Sequence, residues 1–152
     1  MQIRELMTAD PDACLAMDNC AAAGEIMRRR NCGFVPIVDN QATKRVIGVV
    51  TDRDVAIYLT KVNRPADQVR LEACMTRDVK TILPDASLEQ AARLMETAAI
   101  HRLPVVDGEG RLIGVLSLKD IAVAADRRWA YAESRTAEQK LGEIIEAIAS
   151  AR

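Results

Sequence analysis

The sequence predicts an α+β protein built from two similar halves, and two observations support this prediction. First, three segments of the 152-residue chain recur at an offset of 68 residues. Second, each copy of the repeat combines a helical apolar stripe with short apolar strands. The recurring pairs are "MT" at 7–8 and 75–76, Met27 and Met95, and "FVPIVD" (34–39) and "RLPVVD" (102–107).

The repeat continues beyond the next turn with a shorter offset. "VIGVVTDRDV" (46–55) matches "LIGVLSLKDI" (112–121), which lies 66 residues later. The offset shortens because "NQATKR" in the first copy faces the shorter "GEGR" in the second. Turn segments tolerate such length changes while the flanking elements stay intact. The pattern therefore indicates a duplicated unit.

The first helix of each copy begins at a capping residue. Ser87, followed three residues later by Gln90, matches the capping box. Asn19 is the candidate cap in the first copy. The helical stripe that follows consists of Leu88, Ala91, Leu94, Met95 and Ala98 in the second copy and of Ala22, Ala23, Ile26 and Met27 in the first.

Two short apolar strands joined by a turn follow each of these helices. The first strand, "FVPIV" or "RLPVV", contains a proline, which has no N–H to donate to a sheet. We expect this strand to be bent, or to lie where the missing amide faces no partner. The second strand is "VIGVV" or "LIGVL". Each half is therefore a small α+β unit, and the two units are expected to pack against one another.

The second helix of each copy opens with a hydroxyl residue followed three positions later by an aspartate. Thr51 and Asp54 form this pair in the first copy, and Ser117 and Asp120 form it in the second. The spacing matches a capping box, in which both side chains bond to free amides at the helix start. A carboxylate can also accept hydrogen bonds from both hydroxyls of a ribose. The residues alone leave open whether the pair only caps the helix or also holds a ligand.

The chain is predicted to divide into a first motif (1–60), a polar connector (61–72), a second motif (73–125) and a C-terminal helical tail (126–152). In the tail, Thr136 and Gln139 suggest a helix cap. The helix behind it is expected to dock on its own domain or to contact a second subunit. Its apolar stripe consists of Leu141, Ile144, Ile145 and Ile148.

Composition argues against two classes of partner. The net charge of −1 gives no electrostatic reason to expect nucleic acid, and the few aromatic residues are too scattered to stack bases. No apolar run approaches the roughly 20 residues of a membrane span. The N-terminal segment carries charges within five residues, so a signal peptide is not expected. These features predict a cytoplasmic protein.

Catalytic and metal sites are not predicted. Cys14, Cys20, Cys32 and Cys74 form no C-x-x-C pair and have no histidine at ligand spacing, so no metal site is expected. They are interpreted as small, partly buried apolar side chains, with a redox role of Cys32 or Cys74 as the alternative. One histidine and no nucleophile elbow leave little for acid–base or covalent catalysis, so the chain is not predicted to be an enzyme.

The paired "MT", "RLPVVD" and "GVLSLKDI" motifs resemble those of a CBS-domain pair, or Bateman module, of the short stand-alone type found in bacteria. The resemblance covers roughly residues 1–125. It implies a β-α-β-β-α fold for each half, a pseudo-two-fold axis between the halves, and a homodimer. It also implies a regulatory sensor that binds an adenine nucleotide (AMP, ADP, ATP or NAD(H)) in clefts between the halves.

The resemblance carries over residue by residue. It assigns the ribose and phosphate contacts to the two hydroxyl-x-x-carboxylate pairs. It places adenine on the main chain just before the proline of "RLPVVD", and it adds cations near the phosphates. The expected nucleotide-binding residues are Thr51, Arg53, Asp54, Thr76, Thr81, Ile100, His101, Arg102, Leu103, Ser117, Lys119 and Asp120.

The two copies differ just before the proline. The second copy has His101 and Arg102, whereas the first has Gly33 and Phe34. Arginine suits phosphate recognition because its donors have a fixed geometry. The second site is therefore expected to bind phosphate more strongly than the first. Binding is expected to change the conformation or assembly of the module, and a separate effector to respond; the alternative is a structural protein whose motifs serve only as helix caps.

Overall fold

The computed structural model describes residues 1–129 and 135–150, with the side chains of residues 125–141 and 144 left outside that description. The fold is α+β, as predicted. The strands are β1 (Thr8–Ala9), β2 (Cys14–Leu15), β3 (Phe34–Val38), β4 (Val46–Thr51), β5 (Arg102–Val106) and β6 (Leu112–Ser117). The helices are α1 (Cys20–Arg30), α2 (Asp52–Val62), α3 (Leu88–Ala98), α4 (Leu118–Trp129) and α5 (Arg135–Ser150).

The chain forms two compact units that exchange short segments. The first-copy unit contains Asp10–Val79 and Gly108–Leu112. The second-copy unit contains Met1–Ala9, Lys80–Asp107 and Ile113–Arg152. The N-terminal nine residues thus lie in the unit of the second copy, although they precede the first copy in sequence. The domain boundaries drawn from the sequence stay predictions.

The first-copy unit is built on a sheet in the order β2-β3-β4, with β2 parallel and β4 antiparallel to β3. Its core packs α1 against this sheet around Ala23, Val35 and Ile37, all fully buried. The predicted polar connector contributes to this core, because Val69 and Leu71 are 5% and 0% exposed.

The second-copy unit is built on a sheet in the order β1-β6-β5. Ile82 extends it through a parallel bridge to Val105, at the place that β2 occupies beside β3 in the first-copy unit. Its core packs α3 against the sheet around Met95, Leu103 and Leu116, all fully buried.

The repeated "MT" segments pair with β6 and β4, the last strand along the chain in each unit. Thr8 lies opposite Val115 of β6, and Thr76 bridges Val49 of β4 through bonds of 2.8 and 3.0 Å. In both strands a glycine precedes the paired valine, because the "MT" segment passes too close to this position for a side chain. A Cβ atom on Gly48 would lie 3.1 Å from the Thr76 carbonyl oxygen, and one on Gly114 would lie 3.2 Å from that of Thr8. The recurrence of these glycines therefore follows from the recurrence of "MT".

The prolines of β3 and β5 lie where the missing amide faces no partner, which was one of the two expected arrangements. Pro36 lies opposite Val49, whose N–H and C=O both bond to Thr76 on the other side of β4. In the second copy Pro104 uses only its carbonyl, which accepts from the Ile82 amide at 3.1 Å. Each missing amide is therefore placed where the sheet needs no donor.

The predicted helix caps at Asn19 and Ser87 are confirmed. The Asn19 side chain accepts from the Ala22 amide at 2.9 Å. Ser87 and Gln90 form the reciprocal capping box, with bonds of 2.8 and 3.2 Å.

The C-terminal helix docks on its own domain, which confirms one of the two predicted alternatives. It packs against α3 and α4, and Ile148 is fully buried in the core of the second-copy unit. The predicted cap at Thr136 and Gln139 lies outside the described side chains. The stripe residues Leu141 and Ile144 lie outside the described side chains.

Among the described residues, no helix is both long enough and apolar enough to span a membrane.

Candidate functional site

The start of α2 holds the first hydroxyl–carboxylate pair in a closed capping box. The Asp54 amide donates to Thr51 Oγ1 at 3.1 Å, and the Thr51 amide donates to Asp54 Oδ2 at 2.9 Å. Both side chains are half-buried at the point where β4 ends and α2 begins. The predicted capping role of this pair is confirmed.

The start of α4 repeats this arrangement with one extra bond. The Ser117 amide donates to Asp120 Oδ2 at 2.8 Å, and the Asp120 amide donates to Ser117 Oγ at 3.2 Å. The Ser117 hydroxyl also donates to Asp120 Oδ2 at 2.6 Å. The Ser117 proton is thus engaged within the pair, whereas no such bond is formed by Thr51.

Capping uses only one oxygen of each carboxylate. Every bond that the described residues give to Asp54 and Asp120 goes to Oδ2. An ionised carboxylate has about four lone-pair sites, so Oδ1 keeps its accepting capacity. Each carboxylate can therefore cap its helix and accept hydrogen bonds from a diol at the same time.

Two cations lie within these pairs in sequence, and a third opens the strand β5. Arg53 and Lys119 occupy the second position of α2 and α4, and both are exposed. Arg102 opens β5 and is half-buried. Among the described residues none of the three forms an ion pair, so each can neutralise a phosphate.

The second-copy unit brings the His101–Arg102 segment to the start of α4. The Leu118 amide donates to the His101 carbonyl at 2.9 Å, which links this segment to the helix that carries Asp120. Ile100 is half-buried just before it, and the Leu103 side chain is fully buried, so only the Leu103 main chain can meet a ligand.

The imidazole of His101 contacts the C-terminal helix. Its Nε2 lies 3.2 Å from the Ile148 carbonyl oxygen, which accepts a hydrogen bond when Nε2 carries the proton. The predicted phosphate role of His101 stays a prediction, and this bond leaves Arg102 as the cation of that segment with no partner among the described residues. The contact was not predicted because nothing in the sequence pairs His101 with a residue 47 positions away.

The two threonines near the connector lie in different units. Thr76 is exposed and bridges β4 two residues before Thr51, so it shares the first-copy unit with that pair. Thr81 is half-buried in the second-copy unit and precedes the Ile82 bridge. The structure thus groups Thr51, Arg53, Asp54 and Thr76 in the first-copy unit, and Thr81, Ile100, His101, Arg102, Leu103, Ser117, Lys119 and Asp120 in the second.

Sequence reasoning missed the contact between Gly33 and Asp52. A Cβ atom on Gly33 would lie 2.5 Å from Asp52 Oδ2, so the missing side chain makes room for this carboxylate. The equivalent positions in the second copy are His101 and Leu118. In both copies the amide of the later residue donates to the carbonyl of the earlier one. Both positions differ between the copies, and this paired difference was the signal in the sequence that could have indicated the contact. It gives the first-copy helix start one more negative charge than the second.

A family model described as CBS domain matches the chain twice, over residues 3–61 and 69–127. The protein YlbB of Bacillus subtilis is 31% identical over 123 residues, which make up 81% of this chain and 81% of YlbB. The inosine-5'-monophosphate dehydrogenase of Methanocaldococcus jannaschii is 32% identical over 147 residues, which make up 97% of this chain and 26% of the dehydrogenase.

Among solved structures, the fold matches that of CBSX2 in complex with AMP. The TM-score is 0.69 and the sequences are 25% identical. The match covers 83% of this chain and 96% of that one.

Proposed function

The chain belongs to the CBS-domain family, with two CBS motifs in tandem, and from this premise we propose that it is a regulatory module that binds an adenine nucleotide. The candidate ligands are AMP, ADP, ATP and NAD(H). The complex of the similar protein CBSX2 with AMP supports this ligand class. The proposal assigns no catalytic residue and no catalytic cofactor to the chain, and the dehydrogenase match covers about a quarter of that enzyme.

The observation that carries the proposal is the unused oxygen of each capping carboxylate. Asp54 and Asp120 both cap through Oδ2, and Oδ1, which receives no bond from the described residues, can accept from the hydroxyls of a ribose. A carboxylate that served only as a cap would not need to recur at both helix starts, since many residues satisfy an N-terminal amide. The ribose is therefore assigned to Asp54 in the first copy and to Asp120 in the second.

The charges near the two pairs favour phosphate at the second copy. Arg102 and Lys119 add two cations there, whereas Asp52 adds a carboxylate beside Arg53 in the first copy. We therefore propose that a phosphorylated nucleotide occupies the second copy more tightly. Binding then changes the conformation or assembly of the module, and a separate effector protein responds to that change.

A second candidate is a structural protein whose motifs act only as helix caps. The observation in its favour is the Ser87–Gln90 box at α3, which has the same geometry and is not assigned to a ligand. The two candidates differ in one measurable respect, because only the first predicts that a nucleotide stabilises the protein.

A nucleotide panel tests the proposal. AMP, ADP, ATP, NAD⁺ and NADH are each added at millimolar concentration, and the melting temperature is compared with that in GMP and GTP. A ligand at about 100 times its Kd stabilises the native state by roughly 2.7 kcal/mol, which we expect to raise Tm by about 5–10 °C. If no adenine nucleotide raises Tm above the guanine controls, the structural candidate holds instead.

We further propose that the module is a homodimer. Ile57 on α2 and Val123 on α4 occupy equivalent positions in the two copies, and their side chains are 55% and 43% exposed. Large apolar side chains left in water at matching positions favour burial against another copy.

Sedimentation velocity tests the dimer. We expect the wild-type protein to sediment as a dimer and the Ile57→Asp/Val123→Asp variant as a monomer, because a buried, unpaired carboxylate opposes association. Thr60→Asp, also on an exposed position of α2, is the control and should remain dimeric. A monomeric wild-type protein would show the proposal to be wrong.

Nucleotide sensing of this kind also places the protein in the cytoplasm, and this location is part of the same proposal.

A further inference from the structure

Two cysteine thiols that are far apart in sequence meet in the first-copy unit. Cys20 Sγ lies 3.7 Å from Cys74 Sγ, within hydrogen-bonding contact of two thiols. Cys20 is the first residue of α1 and is 1% exposed. Cys74 follows the 3-10 turn Leu71–Ala73 and is half-buried. All four cysteines of the chain are free thiols.

Backbone hydrogen bonds hold the two segments side by side. The Cys20 amide donates to the Val69 carbonyl at 2.8 Å, and the Leu71 amide donates to the Asp18 carbonyl at 2.8 Å. A further bond of 2.9 Å runs from the Glu72 amide to the Ala16 carbonyl. The backbone therefore holds Cys20 and Cys74 on neighbouring segments.

We propose that Cys20 and Cys74 form a reversible disulfide when the protein meets a hydroperoxide or a disulfide-forming oxidant. A disulfide bond is about 2.05 Å long, so the sulfur atoms need to approach by less than 2 Å. We expect side-chain rotation to bring the two sulfur atoms into bonding distance, with the hydrogen-bonded backbone kept in place.

With hydrogen peroxide the reaction proceeds in two steps that balance. Peroxide first transfers one oxygen to the Cys74 sulfur, which gives a sulfenic acid and releases one water. The Cys20 sulfur then attacks the Cys74 sulfur, the S–S bond forms, and the hydroxyl leaves as a second water with the Cys20 proton. Two electrons pass from the thiols to the peroxide, and a low-molecular-weight thiol reverses the reaction by exchange.

The surroundings of Cys74 set the rate of this oxidation. Burial raises the pKa of Cys74 to about 12, and the contact with Cys20 and the Asp54 carboxylate act in the same direction. Only the thiolate reacts with an oxidant, so the pair should oxidise slowly at neutral pH and faster as the pH rises from 7 to 9. The pair therefore stays reduced unless the protein is exposed to oxidant for a long time.

The other two cysteines are not placed to compete. Burial raises the pKa of Cys14 to about 11, and this side chain is 1% exposed in the core. The Cys32 thiol donates to the Phe34 carbonyl at 3.4 Å. Neither contacts a second thiol, so the bond should be specific for Cys20 and Cys74.

The disulfide would fasten the start of α1 to the segment that pairs with β4. Cys74 directly precedes Met75 and Thr76, and Thr76 bridges Val49 next to the first-copy pair. The bond closes a loop of about 55 residues, which restricts the unfolded chain and stabilises the folded one. Oxidation therefore strengthens the unit that carries Asp54.

Peptide mapping tests the bond directly. The wild-type protein is treated with hydrogen peroxide or diamide at pH 7 and pH 9, alkylated without reduction, and digested with trypsin. We expect peptides 5–28 and 71–77 to be joined, with fragment ions between Cys14 and Cys20 that assign the bond to Cys20. The proposal is overturned if Cys74 is found alkylated, and so still a free thiol after oxidation, or if it is joined to Cys14 or Cys32.

Melting curves give a second readout that needs no peptide assignment. We expect oxidation to raise the Tm of the wild-type protein by roughly 5–15 °C and dithiothreitol to reverse the rise. Cys74→Ala should abolish the rise, whereas Cys32→Ala, which removes an equally half-buried thiol, should retain it. An equal rise in both variants would show that the effect does not come from this pair.

Discussion

Asp120→Ala is expected to weaken adenine nucleotide binding at the second copy by about 10- to 100-fold or more. Its carboxylate is proposed to accept from the ribose hydroxyls through Oδ1, and hydrogen bonds to a charged group contribute roughly 1.5–3 kcal/mol each. Isothermal titration with the nucleotide that gives the largest rise in Tm measures the change. This is the largest effect that we expect of a single substitution on ligand affinity.

The same substitution also removes a helix cap, so stability alone does not identify its role. Loss of a capping interaction costs about 1 kcal/mol of the free energy of unfolding. Gln90→Ala is the matched control, because Gln90 holds the third position of the capping box at α3 in the same unit. Both variants should lose stability, but only Asp120→Ala should lose affinity. If both bind nucleotide like the wild-type protein, Asp120 serves only as a cap.

Ile148→Ala is expected to lower the free energy of unfolding by about 2–4 kcal/mol. Ile148 is 0% exposed in the core of the second-copy unit, and its truncation leaves a cavity that the packed neighbours fill only in part. Chemical denaturation followed by circular dichroism measures the loss. Ile148 lies two residues before Ser150, the last described residue of α5, where a frayed helix end would tolerate alanine.

Ile145→Ala provides the control for this prediction. Ile145 lies on the same helix three residues earlier and is half-buried, so the same loss of atoms should cost less. If the two variants lose equal stability, the depth of burial at Ile148 does not set the cost. If neither loses stability, α5 contributes nothing to the core of this unit, and the docking described above is wrong for the protein in solution.

Local elements were largely predictable from the residues. The caps at Asn19, Thr51 and Ser87 rest on bonds between residues three apart, so the sequence spacing already contains the contact. The prolines of β3 and β5 likewise restrict their own strands, because the missing N–H belongs to the residue itself.

Contacts between distant segments were not predictable in the same way. The crossing of Thr76 over β4, the bond from His101 to Ile148 and the approach of Cys20 to Cys74 join residues 27, 47 and 54 positions apart. No local pattern marks such pairs, because each contact depends on how whole elements pack. The fit of Asp52 against Gly33 is of the same kind, although comparison of the two copies did contain a trace of it.

The residue order was sufficient to predict a duplicated α+β module of the CBS type and to locate its two hydroxyl–carboxylate pairs. The duplication and the pairs follow from repeats and short-range spacing, which can be recognised without knowledge of packing, whereas the CBS type follows from the resemblance of the motifs to that family. The folded structure was needed to show that each carboxylate caps through Oδ2 alone among the described residues, and that Ile148 is buried with its carbonyl against His101. The reason is that hydrogen-bond geometry and burial depend on atoms brought together by the fold and not on their order along the chain.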